Sequence, residues 1–279
     1  MSKQKEKLSK ELRKKEKKVG KPAVIFSFDG TIMNTEPAIF AAYRHVFAKF
    51  GGNRRFTAEE EQKVIGVSSG IMLKEFFPDL DQEELLKEYR TYQYYHLSDL
   101  IQPMPGVKDF LKWLKAEGYP VGIISSRARS TITSMLEHTG LMQYIDVIIA
   151  GSTKEKEFSG SEALRIAGNL LKRQCVIYIG HTAAHVLNGH LVGAFTIAYN
   201  PSGRILYDII DAGPDFITAD YKMVKRLLEG EPLWLAYELA EPLAPAEEAP
   251  VAAVKEQPSE EVSQEAPARK KRRTPKKAK

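Results

Sequence analysis

From Pro22 to about Leu239 the chain alternates short apolar runs with longer stretches whose apolar positions recur every three to four residues. Five apolar runs predict strands: Ala23–Phe28, Pro120–Ser125, Tyr144–Ala150, Cys175–Gly180 and Gly193–Tyr199. Each is rich in Val, Ile or Phe and bounded by polar residues or glycine, as a strand covered on both faces should be. A short sixth is predicted at Asp215–Thr218. Helical patterns follow most of them, over Gly106–Gly118, Arg127–Gly140, Gly160–Lys172, Ala183–Gly189 and Tyr221–Glu229. In the first of these Val107, Phe110, Leu111 and Leu114 form an apolar stripe, and Gly118 supplies the stop. Strand–helix alternation of this kind predicts an α/β fold: a Rossmann-like, doubly wound parallel sheet with helices on both faces.

One interval breaks the alternation. Residues 33–104 carry only helical patterns, with one stripe through Ile39, Phe40, Tyr43, Val46, Phe47 and Phe50 and another through Leu85, Leu86, Tyr89 and Tyr92. This predicts an all-helical insertion between the first two strands, placed to act as a lid over a sheet edge. Tyr92, Tyr94, Tyr95 and His96 either line a pocket of that insertion or wrap several faces of one packed helix, and their spacing favours the second. The expected organisation is a basic arm at 1–21, a core of 22–32 and 105–239, a helical cap at 33–104, and a tail at 240–279. There are no internal repeats.

Composition narrows the class. Of 279 residues 43% are apolar, and no apolar run approaches the roughly 18 residues that a membrane-spanning helix requires. The Lys/Glu-rich start has no hydrophobic segment behind it, which argues against a secretory signal. The single cysteine, Cys175, excludes an internal disulfide framework and a cysteine-cluster zinc site, and reads as a small buried hydrophobe. A cytoplasmic protein without membrane contact is expected.

The net charge of +5 is unevenly spread. Residues 1–22 carry a net +7, residues 23–239 a net −4, and residues 240–279 a net +2. The body is therefore mildly acidic, and the excess base lies at the ends. The first segment and the Ala/Pro/Glu-rich stretch at 241–265 lack the apolar content to offset ordering entropy, so disordered tails are expected. The basic run at 266–279, with RKKRR at its centre, reads first as a solubilising tail. The alternative is weak, non-specific nucleic-acid contact through residues 1–21 and 266–279. No aromatic is interleaved there, so base stacking is not expected.

In an open parallel sheet ligands sit beyond the carboxyl ends of the strands. Those ends read FSFDGT (26–31), Ser125-Ser126-Arg127, GSTKEKEF (151–158) and GHTAAH (180–185). Taken in order, with IGVSSG (65–70) in the insertion and the PGV turn at 105–107, they resemble the haloacid dehalogenase superfamily. The similarity is to its phosphatases with a helical cap, the phosphoglycolate phosphatase and bacterial pyrophosphatase group. It spans about residues 22–230.

The resemblance implies an aspartate nucleophile after strand one and a second aspartate two residues on as acid and base. It also implies a hydroxyl and a lysine holding the phosphoryl oxygens, and further aspartates completing a magnesium site. Carried over, the acid/base position is Asp29, with Gly30 and Thr31 retained. The phosphate-holding group is Ser125, with Ser126 beside it. The lysine is Lys154, with Lys156 as the alternative, and the prolines usual after it are absent. The nucleophile position is Ser27, and the acidic positions after strand four are His181 and His185. Magnesium is a hard ion that favours carboxylate oxygens, so a hydroxyl and two imidazoles serve it poorly. His181 and His185 are spaced as two ligands on one helical face, but a transition-metal site needs a third firm ligand, and they read instead as an abandoned magnesium site. Arg127 and Arg129 either aid anion binding or are simply solvated at a helix start.

The expectation is a catalytically inactive pseudophosphatase without a cofactor, holding a phosphorylated small molecule. Two alternatives stay open. One is an active phosphohydrolase with rearranged ligands, depending on Asp29, Ser125 and Lys154. The other is a nucleic-acid- or ribosome-associated protein acting through its tails.

Overall fold

The computed structural model describes residues 20–230, apart from Gly66, Leu97, 152–159 and 202–206, together with Lys10. The expected basic arm, but for Lys10, Gly20 and Lys21, and the expected tail beyond residue 230 lie outside the described residues. So do Lys154 and Lys156.

Six parallel strands form one sheet: β1 Ala23–Ser27, β4 Val121–Ser125, β5 Val147–Ala150, β6 Val176–Gly180, β7 Phe195–Tyr199 and β8 Phe216–Thr218. Their order is β5-β4-β1-β6-β7-β8. The chain builds outward from β1 to β4 and β5, then returns to the other side of β1 for β6, β7 and β8. The order therefore reverses beside β1, which is where an open α/β sheet forms its ligand crevice. Every residue of β1, β6 and β7 is buried, which accounts for their unbroken apolar composition.

Alternation along β1 sorts its side chains between two cores. Ala23 and Ile25 pack with Ala163, Leu164 and Ala167 of α7, Gly160–Leu170. Val24 and Phe26 face the other way, toward Phe110 and Leu114 of α5, Val107–Ala116, and Tyr221 and Val224 of α10, Tyr221–Glu229. Phe110, Tyr221 and Tyr199 stack in sequence, with ring centroids 5.1 and 4.4 Å apart. The Tyr221 hydroxyl donates to the Thr31 carbonyl at 2.6 Å and so props the loop that leaves β1. Helix α6, Arg129–His138, precedes β5, and α8, Ala183–Leu191, precedes β7.

Between β1 and β4 lie α1 Glu36–Phe50, α2 Ala58–Lys63, α3 Ser69–Phe76 and α4 Gln82–His96. Their cores use the predicted stripes: Tyr43, Val46 and Phe47 are buried, with Phe76, Leu85 and Tyr89 against them. The interval is not purely helical, however. Met33–Asn34, β2, pairs antiparallel with Gln102–Pro103, β3, at the two ends of the inserted stretch. Strands two residues long carry no periodicity, so sequence pattern cannot reveal them.

Two further differences concern local structure. The run from Tyr144 begins as a 3-10 turn over Met142–Tyr144, and the strand starts only at Val147. Asp146 interrupts it, with its carboxylate accepting from the Val121 amide at 2.8 Å. A short helix, α9 Tyr207–Asp211, is present where none was predicted. At the chain's entry Lys21 pairs with Glu117 at 3.0 Å, and the Lys21 carbonyl accepts from Arg173. Among the described residues no helix is long and apolar enough to cross a membrane. Cys175 is buried and free of any disulfide.

Candidate functional site

The carboxyl ends of β1, β4 and β6 open into a cleft of roughly 1200 Å³. Its floor contains Ser27, Asp29, Ser125, Ser126, Arg127 and His181. Its opposite wall is supplied by α1, α3 and α4, through Tyr43, Ser69, Tyr89, Arg90 and Gln93 among others. Residues nearly 160 positions apart in sequence meet here because the parallel strands all point the same way.

The loop leaving β1 folds back tightly. Phe28 O accepts from Ile32 N at 2.9 Å and from Met33 N at 3.0 Å, and Gly30 N donates to Met33 O at 2.8 Å. Gly30 has φ +62°, a left-handed conformation that a side chain disfavours. A methyl there would also stand 2.6 Å from the His181 ring. Glycine is thus required by backbone and by packing together.

Asp29 rises from this loop and meets Arg127, which sits just past β4. The Arg127 Nε donates to both carboxylate oxygens, at 2.7 and 2.9 Å. Its Nη1 donates to Gln93 Oε1 of α4 at 3.1 Å. The pair is sheltered, with 14% of the arginine side chain and 22% of the aspartate side chain exposed. Burial works against the Arg127 charge, but the adjacent Asp29 carboxylate outweighs it and raises the guanidinium pKa. Arg127 is therefore not a solvated helix-start residue. It joins β1, β4 and α4 across the cleft. Composition alone could not single it out; its place directly after the Ser125-Ser126 pair was the available signal. Arg129, by contrast, donates to the Ile148 carbonyl at 2.7 Å and faces no anion site.

Ser27 is buried, and its hydroxyl lies 2.6 Å from the Thr31 hydroxyl. Thr31 is itself fully buried and 3.5 Å from His181 Nδ1. Thr31 and Gly30 therefore sit behind the cleft rather than in its lining. Ser125 Oγ accepts from the Arg127 amide at 3.1 Å, a local turn that aims the β4 exit at Asp29.

At the next strand end His181 and His185 lie side by side, with ring centroids 5.2 Å apart. Thr182 caps α8 by accepting from the His185 amide, and its hydroxyl lies 2.9 Å from His185 Nδ1. The same nitrogen accepts from the His181 amide at 3.3 Å. His185 Nδ1 is thus engaged within its own turn. Burial pushes the His181 pKa down to about 4, with the Asp29 carboxylate opposing it. Burial, with His181 adding to it, pushes His185 down to about 3. Both imidazoles are neutral at pH 7. Among the described residues no group of three or more His, Cys, Asp and Glu stands close enough to hold a metal ion.

On the opposite wall the aromatic run of α4 contributes less than its composition suggests. Tyr92 stacks on His45 at 3.7 Å, and Tyr95 is exposed. The cleft-lining residues of α4 are Tyr89, Arg90 and Gln93. Burial raises the pKa of both Tyr43 and Tyr89, keeping the two phenols protonated.

Comparison with known proteins adds the family. The model of haloacid dehalogenase-like hydrolases matches residues 24–199, more than half of the chain. The chain belongs to the haloacid dehalogenase-like hydrolases. Within this family it is 29% identical over 199 residues to pyrophosphatase PpaX of Halalkalibacterium halodurans, covering 70% of this chain and 90% of that protein. It is 27% identical over 201 residues to pyrophosphatase PpaX of Bacillus cereus, with the same coverage. A haloacid dehalogenase-like family protein of Streptococcus pneumoniae superposes with a TM-score of 0.65 at 21% identity, over 74% of this chain and 98% of that one. A predicted phosphoglycolate phosphatase from Haemophilus somnus superposes with a TM-score of 0.62 at 16% identity, over 74% and 97%. At such identities the structural likeness establishes the fold.

Proposed function

We propose that this chain is a family member that holds a phosphorylated small molecule without hydrolysing it. The observation carrying this reading is the engagement of Asp29. Both oxygens of the one carboxylate on the cleft floor are held by Arg127. A carboxylate so held is a weak general base and is not free to ligate a cation.

Two further features support it. Ser27, at the position of the family's nucleophile, is buried and hydrogen-bonds to the Thr31 hydroxyl, with no direct hydrogen bond to a base among the described residues. The positions of the remaining acidic ligands are His181 and His185, two neutral imidazoles lying side by side, with His185 Nδ1 toward Thr182 and His181 Nδ1 toward Thr31. Magnesium favours several hard oxygen ligands in octahedral array, and these residues do not fit it. Without such a cation, little would offset the charge gathering on a phosphoryl group in transfer.

What persists suits binding. Ser125 and Ser126 remain at the β4 exit and line the cleft, and the missing carboxylates leave it less repulsive to an anion. Lys154 is assigned to the same proposed cradle from the sequence resemblance. We read residues 33–104 as a cap over the core of 22–32 and 105–239. The β2–β3 ribbon is its hinge, and Tyr43, Tyr89 and Gln93 face the ligand from above.

A panel of phosphomonoesters and pyrophosphate, assayed with magnesium, tests the reading. Turnover no higher than that of Asp29→Ala is expected. Robust magnesium-dependent hydrolysis that Asp29→Ala abolishes would overturn it and favour the active phosphohydrolase.

A further inference from the structure

A guanidinium carries five N–H donors. In Arg127 the Nε–H serves the two Asp29 oxygens and one Nη1–H serves Gln93. The other three have no partner among the described residues, although the side chain is only 14% exposed and lines the cleft. Unmet charged donors in a sheltered site are costly, and each is a vacancy that an anion can satisfy. The Tyr43 hydroxyl, in the facing wall, is likewise buried without a partner. Among the described residues, the charged side chains lining the cleft are Arg90, Lys108 and Arg127 against Asp29 and Asp99, a positive balance. Asp29, the carboxylate on the floor, is already neutralised by its arginine.

We propose that Arg127 is the cation against which this cleft binds a phosphoryl anion, so that binding needs no metal ion. The inference rests on the proposed phospho-ligand function. Its chemistry is that of a guanidinium fork, whose parallel Nη donors match two oxygens of one phosphoryl group. Nε keeps Asp29, which holds the fork in place and aims its far edge into the cleft. Ser125 and Ser126 stand beside it to receive the remaining oxygens. A guanidinium remains charged across the whole physiological range, and no chelator removes it. Because Arg127 also donates to Gln93 of α4, the bound anion is coupled through it to the inserted helices.

The test is calorimetric titration of the full chain with inorganic phosphate and with pyrophosphate, once with magnesium and once with EDTA. The expected isotherms agree within about twofold in the two buffers. Arg127→Ala should weaken binding by about tenfold or more, the usual effect of losing charged hydrogen bonds. Arg127→Lys, which keeps the charge and loses the fork, should fall between. Asp29→Asn should bind as tightly as wild type or more so, because it removes a like charge while its Oδ1 still accepts from Nε and holds the fork. Binding that appears only with magnesium overturns the assignment while leaving the phospho-ligand reading intact. So does wild-type affinity in Arg127→Ala, or loss of binding in Asp29→Asn. If wild type binds neither anion in either buffer, both the reading and this inference fail. Should Arg127→Ala not fold, as judged by near-ultraviolet circular dichroism, the EDTA comparison and Asp29→Asn decide.

Discussion

Lowering the pH from 7.5 to 5 should destabilise this protein, and the reason lies in two histidines. His181 and His185 have pKa values depressed from about 6.5 to about 4 and about 3. Burial withholds water from both charged imidazoliums, His181 adds to the depression at His185, and the Asp29 carboxylate opposes it at His181. A base with a depressed folded pKa favours the neutral state in the fold, while the unfolded chain takes up a proton near pH 6.5. Between pH 6.5 and about 4 the unfolded state therefore binds more protons than the folded one. Stability falls with falling pH across that window, then levels below it as the folded state also charges. At pH 5 each histidine accounts for a loss of about 2 kcal/mol relative to pH 7.5, or about 4 kcal/mol together. Domain stabilities of 5–15 kcal/mol make this a large fraction of the whole.

Urea unfolding at half-unit steps from pH 7.5 to 5 measures the loss directly, and imidazole proton shifts report each titration. The double variant His181→Asn/His185→Asn should be less stable at pH 7.5 but much flatter with pH. A wild-type curve level across the window, or a double variant that keeps the full slope, would refute the reasoning. Imidazole resonances titrating near pH 6.5 in the folded protein would refute it equally.

Three other outcomes are expected. Arg127→Met leaves the Asp29 carboxylate sheltered and unpaired, at about 2–3 kcal/mol; Asp29→Asn/Arg127→Met should recover much of that loss in a thermal double-mutant cycle. Gly180→Ala places a methyl 2.4 Å from the His185 Cβ and should destabilise by about 1–3 kcal/mol in chemical denaturation. His185→Ala keeps that Cβ and should leave most of the clash, whereas His185→Gly should relieve it. Tyr221→Phe removes the donor to the Thr31 carbonyl and should lower unfolding free energy by about 1 kcal/mol, with the β1 loop exchanging its amides faster.

Much of the core was legible in the chain. Strands β1, β6 and β7 are buried on both faces, so their composition could not be mistaken for alternating surface strands. Helix α10 matches its predicted bounds because Asp220 caps its start and its apolar stripe is sharp. The short elements were not legible. β2, β3 and α9 span two, two and five residues, too few for a period to show.

The site divides along the same line. Sequence alone determined that Ser27, Asp29, Ser125, His181 and His185 leave the strands of one parallel sheet, because parallel strands must present their carboxyl ends together. It also determined which residue types stand there, and so how little acid the site contains. Only the tertiary structure decided what those residues do to one another. Arg127 lies 98 positions from Asp29 and 34 from Gln93, and nothing local specifies either contact. Ser27 and His181 turn to Thr31, and His185 turns to Thr182, because burial obliges polar atoms to find partners within reach. Which partners are within reach is a property of the packed sheet and of the helices closed over it, and no linear pattern records it.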